Sequence, residues 1–356
     1  MINIAALTAG INTPSSRFRI RQHIEPLKKY GFNTKDFIPF IEKDQSLPGR
    51  LKNLRVRYVI PFFALLQILK LISRLPNVIQ TYKYNITWLE REILPGFISL
   101  EPFLKRPLII DIDDAIWTLK PFGKYCVPKI VKKADLVIAG NSYLANWLSK
   151  YSKNIKIIPT AIDTACFVPK INNSDKQMFK KDSFIIGWTG LGLNLVYLYE
   201  IESAIKQIMD KYNNIELCIL SDQKPEFKSL PSNKVHFIKW NEKIESKILT
   251  EWDIGIMPLP DNEFTRGKCS FKMLQYMAAG LPVVVSPIGM NKNVLQKGNI
   301  GFGASKYDEW IDNIEYLYKN KAIRLNMGNS GRMIVKKYFD RSVISKQLAD
   351  IFLKFS

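Results

Sequence analysis

Asp253–Gly289 reads DIGIMPLPDNEFTRGKCSFKMLQYMAAGLPVVVSPIG. It holds an apolar strand, a charged loop, a helix over about Ser270–Ala279 and a second apolar strand, with Gly280 and Pro282 closing the helix. Gly267, Lys268, Ser270 and Lys272 meet where that helix begins. A helix start offers N–H groups without intrahelical acceptors and a positive dipole end, so two lysines there make an anion site suited to phosphate. A plain βαβ unit with solvated lysines fits the same residues. Either way, the period changes from strand to helix to strand, and that makes the chain α/β.

Working outward, the same alternation fills both halves of the 356 residues. Ile2–Leu7, Val78–Tyr82, Leu108–Ile112, Leu136–Ala139 and Ile155–Ile158 read as strands of a first half. Ser16–Tyr30, Thr87–Leu94, Val127–Lys133 and Ser142–Tyr151 read as its helices. Ala165–Asp182 is polar, carries Pro169 and Asn172-Asn173, and breaks the rhythm as a linker does. Strands then restart at Ser183–Trp188, Ile215–Leu220, Val235–Ile238, Ile254–Met257 and Ile300–Gly303, with Leu195–Tyr212 as one long helix between the first two. The expected plan is a domain over 1–165, a linker over 166–182 and a second domain over 183–339. A last helix within 340–356 crosses back to the first domain.

Charge and cysteines narrow the class. Lys and Arg number 52 against 32 Asp and Glu, a net +20 that favours polyanionic partners or an anionic surface over neutral ones. Part of that excess is ordinary solvated lysine. The four cysteines are far apart, without a CxxC, and the only histidines are His23 and His236. A zinc site, a disulfide framework and a Ser-His-Asp or Cys-His centre are therefore not expected, and a reducing cytoplasm is. MINIAALTAG lacks a basic leader, so no signal peptide is expected. The apolar run Tyr58–Leu69 is too short to span a bilayer. Arg50, Lys52, Arg55 and Arg57 precede it, and Lys70 and Arg74 follow. Basic flanks on an amphipathic helix suit an in-plane membrane helix; the run itself reads rather as a helix packed on the sheet, and its basic flank as membrane-facing. Nucleic acid is not expected, because basic and aromatic residues do not interleave on one element.

Ligands of open α/β sheets sit beyond the C-terminal strand ends. The loops to watch are Thr8–Ser16 and Asp111–Trp117 in the first half, and Thr189–Asn194, Ser221–Lys224, Pro258–Ser270 and Pro287–Asn291 in the second. Neither GxGxxG after the first strand nor GxxxxGK[ST] occurs, which disfavours standard dinucleotide and P-loop sites. Arg17 and Arg21, four apart, share a helix face near the first loop. Asp111, Asp113 and Asp114 end a strand and admit three readings: loop caps, a metal cluster, or a phosphatase of the haloacid-dehalogenase kind using Asp111 and Asp113.

Several segments in order resemble the GT-B glycosyltransferases of the family 4 (group 1) type. They are PSSRFRIRQHIEPLKKYGF from Pro14, IIDIDDAIW (Ile109–Trp117), ADLVIAGNSYLANWL (Ala134–Leu148), IIPTAIDTACF (Ile157–Phe167), IGWTG (Ile186–Gly190), DIGIMPL (Asp253–Leu259) and GKCSFKMLQYMAAGLPVVVS (Gly267–Ser286). The resemblance implies two Rossmann-like doubly wound domains facing a cleft. It implies a retaining, metal-independent transfer of sugar from a UDP- or GDP-linked donor, with no cofactor and no metal. Thr189, Gly190, Gly267 and Ser270 would lie at the donor diphosphate, and Lys268 and Lys272 would neutralise it as it leaves. The family usually shows two glutamates eight positions apart. Here the second position is Gln275, able to hydrogen-bond the ribose, and the first falls near Gly267, with Glu263 out of register. Asp113 or Asp114 would serve as base, with Arg17, Arg21 and Asp114 on the acceptor side. The expected acceptor is a saccharide, or a lipid-linked one of a bacterial surface polysaccharide, reached from the inner face of the membrane. A catalytically silent GT-B binding protein is the alternative.

Overall fold

Short β-branched runs alternating with amphipathic ones build two six-stranded parallel sheets in this computed structural model, which describes residues 1–43, 45, 56–169 and 177–355. Arg50, Lys52 and Arg55, and positions 170–176 of the expected linker, lie outside the described residues. The chain divides into two units. Met1–Ala161 forms unit 1 together with Gly267–Cys269 and the segment from Arg341; Ile162–Arg266 and Ser270–Asp340 form unit 2.

Unit 1 contains β1 (Ile2–Leu7), a π-helical turn (Ser16–Arg21) running into α1 (Gln22–Lys28), β2 (Phe32–Phe37), α2 (Val56–Thr81), β3 (Ile86–Glu90), β4 (Leu108–Ile112), α3 (Gly123–Lys133), β5 (Leu136–Ala139), α4 (Ser142–Leu148) and β6 (Ile155–Ile157). Its sheet order is β2-β1-β3-β4-β5-β6. The order reverses between β1 and β3, where Ala6 pairs with Trp88 and Leu7 with Leu89.

Two sequence expectations fail here. Val78–Tyr82 is not a strand: Val78 and Thr81 are three apart on the buried side of the 26-residue α2. Thr87–Leu94 is not a helix. Ile86, Thr87 and Trp88 are strand formers that tertiary pairing places at the centre of the sheet. The β2 strand escaped notice because Lys35 and Asp36 disguise an edge-strand alternation. The Tyr58–Leu69 run is also longer in the fold than its composition suggests. It belongs to a helix whose Ile60–Thr81 portion is long and apolar enough to cross a membrane.

Unit 2 contains β7 (Phe184–Thr189), α5 (Leu195–Tyr199), α6 (Glu202–Lys211), β8 (Ile215–Ser221), β9 (Val235–Lys239), α7 (Glu242–Leu249), β10 (Ile254–Met257), α8 (Glu263–Arg266), α9 (Phe271–Ala278), β11 (Val283–Val285), α10 (Gly289–Leu295), β12 (Gly301–Gly303), α11 (Tyr307–Lys319) and α12 (Lys321–Tyr338). The expected single helix over Leu195–Tyr212 is two, because the backbone at Ile201 leaves helical geometry (φ −109°, ψ 12°). The order β12-β11-β10-β7-β8-β9 is the doubly wound arrangement, with its reversal between β7 and β10. Leu198, Ile205 and Ile208 on one side of the strands pack with Ile314, Leu317 and the strand residues Ile186 and Ile256 in one apolar cluster.

The last helix, α13 (Arg341–Phe352), packs in unit 1. Ile344, Leu348, Ile351 and Phe352 enter its core beside Ile4, Phe32 and Trp88. Phe352 meets Trp88 edge-on at 5.0 Å between ring centroids. Each such side chain contributes about 1.5–3 kcal/mol when fully buried, far more than the few tenths that separate helix propensities. Burial, then, fixes where this helix lies.

Candidate functional site

In unit 2 the site is built where the strand order reverses. Two glycines on the paired strands β7 and β10 seat aromatic rings. A Cβ on Gly187 would collide with Trp252, and one on Gly255 with Tyr276. Tyr276 is fully buried on α9, and its hydroxyl accepts the Thr189 N–H at 3.0 Å. That bond fixes the end of β7 against α9. Burial pushes the Tyr276 phenol well above its usual range, so it stays neutral.

One turn earlier on the same helix, Lys272 lies across Gly190. A Cβ on Gly190 would stand 2.8 Å from Lys272 Nζ and closer still to Cε, so only glycine leaves this room. The ammonium also lies 5.0 Å from the centre of the Trp188 ring. Ser270 opens α9 in the left-handed region (φ 54°, ψ 23°), a conformation a non-glycine residue holds at a cost of about 1–3 kcal/mol. Its hydroxyl is buried with no hydrogen-bond partner among the described residues, and so is Nε2 of Gln275. An unpaired buried donor costs about 1–3 kcal/mol, so two of them on one short helix mark places where another molecule can bond. Asn291 adds a third orphan, its Oδ1, while its Nδ2 donates to the Ser286 carbonyl.

Unit 1 treats its strand ends differently. Where its order reverses, the buried Glu90 carboxylate accepts the Ala9 N–H at 2.9 Å and the Ser16 hydroxyl at 2.5 Å, and Ser15 donates to its other oxygen. Arg19 donates to Asp111 at 2.8 Å and to the Ile158 carbonyl at 2.9 Å. Burial pushes Asp111 up to about 6, against the pull of Arg19. Arg91, with φ at 53°, clamps Asp113 at 2.5 Å and Asp114 at 2.8 Å. Burial works to raise Asp113, and Arg91 outweighs it and holds the group below the ordinary carboxylate range. In Asp114 burial wins and the pKa rises, with Arg91 and Lys268 pulling against it.

Arg21 is spent as well: it pairs with Asp36 at 2.6 Å and donates to the Ile11 carbonyl at 2.7 Å. Arg17 lies over Phe18, its guanidinium carbon 4.1 Å from the ring centre. Gly267, Lys268 and Cys269 belong with this unit. Asn141 donates to the Gly267 carbonyl at 2.8 Å and to that of Lys268 at 3.1 Å, and the Cys269 thiol donates to the Asp113 carbonyl at 3.0 Å. A Cβ on Gly267 would stand 2.7 Å from that of Ala115. The residues singled out in the sequence therefore fall in two sets. Asp113, Asp114, Gly267 and Lys268 gather in unit 1; Thr189, Gly190, Ser270, Lys272 and Gln275 gather in unit 2.

Sequence reasoning missed Arg19, Glu90, Arg91 and Tyr276. Tyr276 sits four residues after Lys272, on the same helix face, but an aromatic in an apolar run reads as core. Glu90 and Arg91 fall inside a segment misread as a helix. Among the described residues, no cluster of three or more His, Cys, Asp or Glu side chains is arranged to hold a metal.

Comparison with known proteins agrees with this fold. Residues 194–320 match the family model for glycosyl transferases group 1. A capsular polysaccharide biosynthesis glycosyltransferase, CapM of Staphylococcus aureus, is 22% identical over 195 residues, covering 52% of this chain. The aligned part is 50% of that relative's length, so the chain spans half of the curated protein it matches. Sucrose-phosphate synthase from Thermosynechococcus elongatus superposes with a TM-score of 0.71 at 13% identity, over 99% of each chain. Anabaena HepE, solved in complex with UDP-glucose, gives 0.67 at 13% identity, over 99% of this chain and all of that one. The trehalose-6-phosphate protein of Escherichia coli, solved with UDP-2-fluoro glucose, gives 0.66 at 12% identity, over 98% of each chain.

Proposed function

With a GT-B fold and a group 1 glycosyl transferase segment as premise, we propose that this chain is a retaining, metal-independent glycosyltransferase using a UDP- or GDP-sugar. One observation carries the reading: Lys272 lies across Gly190 beside the strained start of α9. Breaking a sugar–phosphate bond develops negative charge on the departing diphosphate, and fixed cations and N–H groups at that point stabilise it most. Gly190 has no side chain to fill the room beside Lys272, which leaves it for the phosphates. Lys272 neutralises them, Ser270 supplies its hydroxyl, and Gln275 bonds the ribose.

The acceptor hydroxyl loses its proton to a carboxylate of unit 1. Asp114, raised by burial, is better matched to that task than Asp113, which Arg91 keeps ionised and weakly basic. A phosphatase built on Asp111 and Asp113 is disfavoured, because Arg19 and Arg91 already occupy both carboxylates. The acceptor we infer is a lipid-linked saccharide of a bacterial surface polysaccharide. The enzyme works in the cytoplasm at the inner face of the membrane. A net charge of +20 and four cysteines far apart in the chain fit that setting.

The test is incubation with a panel of nucleotide-sugars, scoring slow donor hydrolysis and transfer. Turnover of one UDP- or GDP-sugar is expected, unchanged by chelator. Gln275 in place of the family's glutamate supports a second reading, a silent GT-B binding protein. Calorimetric binding of a nucleotide-sugar without any turnover would select it, and no binding at all would defeat both.

A further inference from the structure

The helix α2 is folded inside out. Its Ile60–Thr81 portion holds only two charged residues, Lys70 and Arg74, and both are turned inward, 8% and 4% exposed. Lys70 donates to the Lys43 carbonyl at 2.6 Å, and Arg74 to the carbonyls of Phe37, at 2.8 Å, and Thr8. The opposite stripe is apolar and bare. Leu65, Ile68, Leu69, Ile72, Leu75 and Ile79 fall within about 120° of one another around the helix. Ile68 is 53% exposed, Ile72 55% and Ile79 66%. Phe62 and Phe63, both exposed, extend the apolar surface toward the start of the helix. A soluble helix normally presents these faces the other way round, and an exposed apolar patch of this kind marks a binding surface.

The charge around this helix selects the occupant. No Asp or Glu occurs anywhere between Asp44 and Glu90 in the sequence, while Arg50, Lys52, Arg55 and Arg57 come just before or within the first turn of α2. In sequence, an apolar stripe preceded by basic residues, in a stretch without Asp or Glu, matches an anionic lipid surface: acyl chains for the stripe, headgroup phosphates for the positive charge. Lys70 and Arg74 decide between lying on the bilayer and crossing it. Both are hydrogen-bonded to the body of unit 1 in the middle of the helix, and leaving it to span would strip them and bury two charges in hydrocarbon.

We propose that α2 is an in-plane docking helix that seats unit 1 on an anionic membrane through the Leu65–Ile79 stripe. This stands apart from the transferase reading, since a silent GT-B protein would dock in the same way. The full chain is mixed with vesicles of phosphatidylglycerol and phosphatidylcholine, or of phosphatidylcholine alone, and sedimented. Binding to the anionic vesicles is expected, and Ile68→Glu/Ile72→Glu should reduce it about tenfold or more with no change in the unfolding midpoint. Absence of binding, binding unchanged by that double variant, or equal binding to phosphatidylcholine alone overturns the proposal. So does a dimer without vesicles that the variant disperses, which would make a second copy of the chain the occupant. Resistance of the bound protein to alkaline carbonate would overturn the in-plane placement. Nucleotide-sugar turnover is read separately, so failure of one reading leaves the other standing.

Discussion

Both sheets reverse their strand order once, and the two reversal points are furnished in opposite ways. In unit 1 the crevice between β1 and β3 is stitched shut by Glu90, which accepts from Ala9, Ser15 and Ser16. In unit 2 the corresponding place holds Gly190 with Lys272 across it, and the Ser270 hydroxyl and Gln275 Nε2 of α9 have no hydrogen-bond partner among the described residues. Glu90 is consumed internally at the first, while Ser270 and Gln275 at the second keep donors unpaired among the described residues. The same topology thus carries different chemistry at the reversal point of each unit. What separates them is the furniture: a carboxylate that accepts three donors at one reversal, a glycine under a lysine at the other.

The contrast breaks first at Lys272. Lys272→Ala should lower donor turnover by about 10²–10³-fold, the usual cost of removing a group that stabilises a developing anion. Steady-state hydrolysis of the accepted nucleotide-sugar measures it, and an activity within a factor of two of the parent would remove the diphosphate from this place. On the other side, Glu90→Gln should destabilise the protein by about 2–3 kcal/mol in urea, because three donors lose a buried carboxylate. It should leave the calorimetric affinity for the nucleotide-sugar unchanged. A loss of that affinity would show that the stitched crevice is not mere scaffold.

His23 tests the packing beneath that scaffold. It is buried against Ser345 of α13 at 2.7 Å, and desolvation, with Arg19 and Arg341 nearby, lowers its pKa from 6.5 to about 3. The unfolded state therefore binds the extra proton between those values, and acidification below about 6.5 favours unfolding. From pH 7 to 5 the loss should reach about 2 kcal/mol, since each pKa unit is worth about 1.4 kcal/mol. His23→Gln should flatten this dependence in urea titrations at the two pH values. An unchanged slope would assign it to other groups.

Smaller effects sharpen the unit 2 side. Gly190→Ala would push aside the flexible end of Lys272 and stand 3.0 Å from the Trp188 ring, which has to give slightly. About a tenfold fall in kcat/KM is expected with the melting temperature kept, and an unaffected enzyme would mean that the lysine works from elsewhere. Gln275→Ala should raise the donor KM by about tenfold or less, the worth of one hydrogen bond. No change in KM would leave the ribose without this partner.

Much of this was legible in the sequence because it is local. The run DIGIM, the helix after Ser270 and VVV follow from apolar period and from Gly280 and Pro282, and the structure places β10, α9 and β11 there. The segment between Val78 and Leu94 was misread, because NITWLE is a strand only once β1 and β4 flank it. Arg17, Asp113 and Lys268 were visible as charges. Arg91, which clamps Asp113 and Asp114, was not, since a single arginine carries no mark of its eventual partners.

Alone, then, the sequence determined the class of the fold, the two-part alternation, the lysine-bearing helix start and the excess of positive charge. These rest on period, composition and turn residues, which act over a few positions. Tertiary structure decided which charges are consumed and which remain. It put Glu90 into one crevice and Lys272 across the other, and it turned Lys70 and Arg74 of α2 inward so that isoleucines and leucines face out. Those outcomes depend on partners dozens of residues away, and periodicity carries no information over that distance.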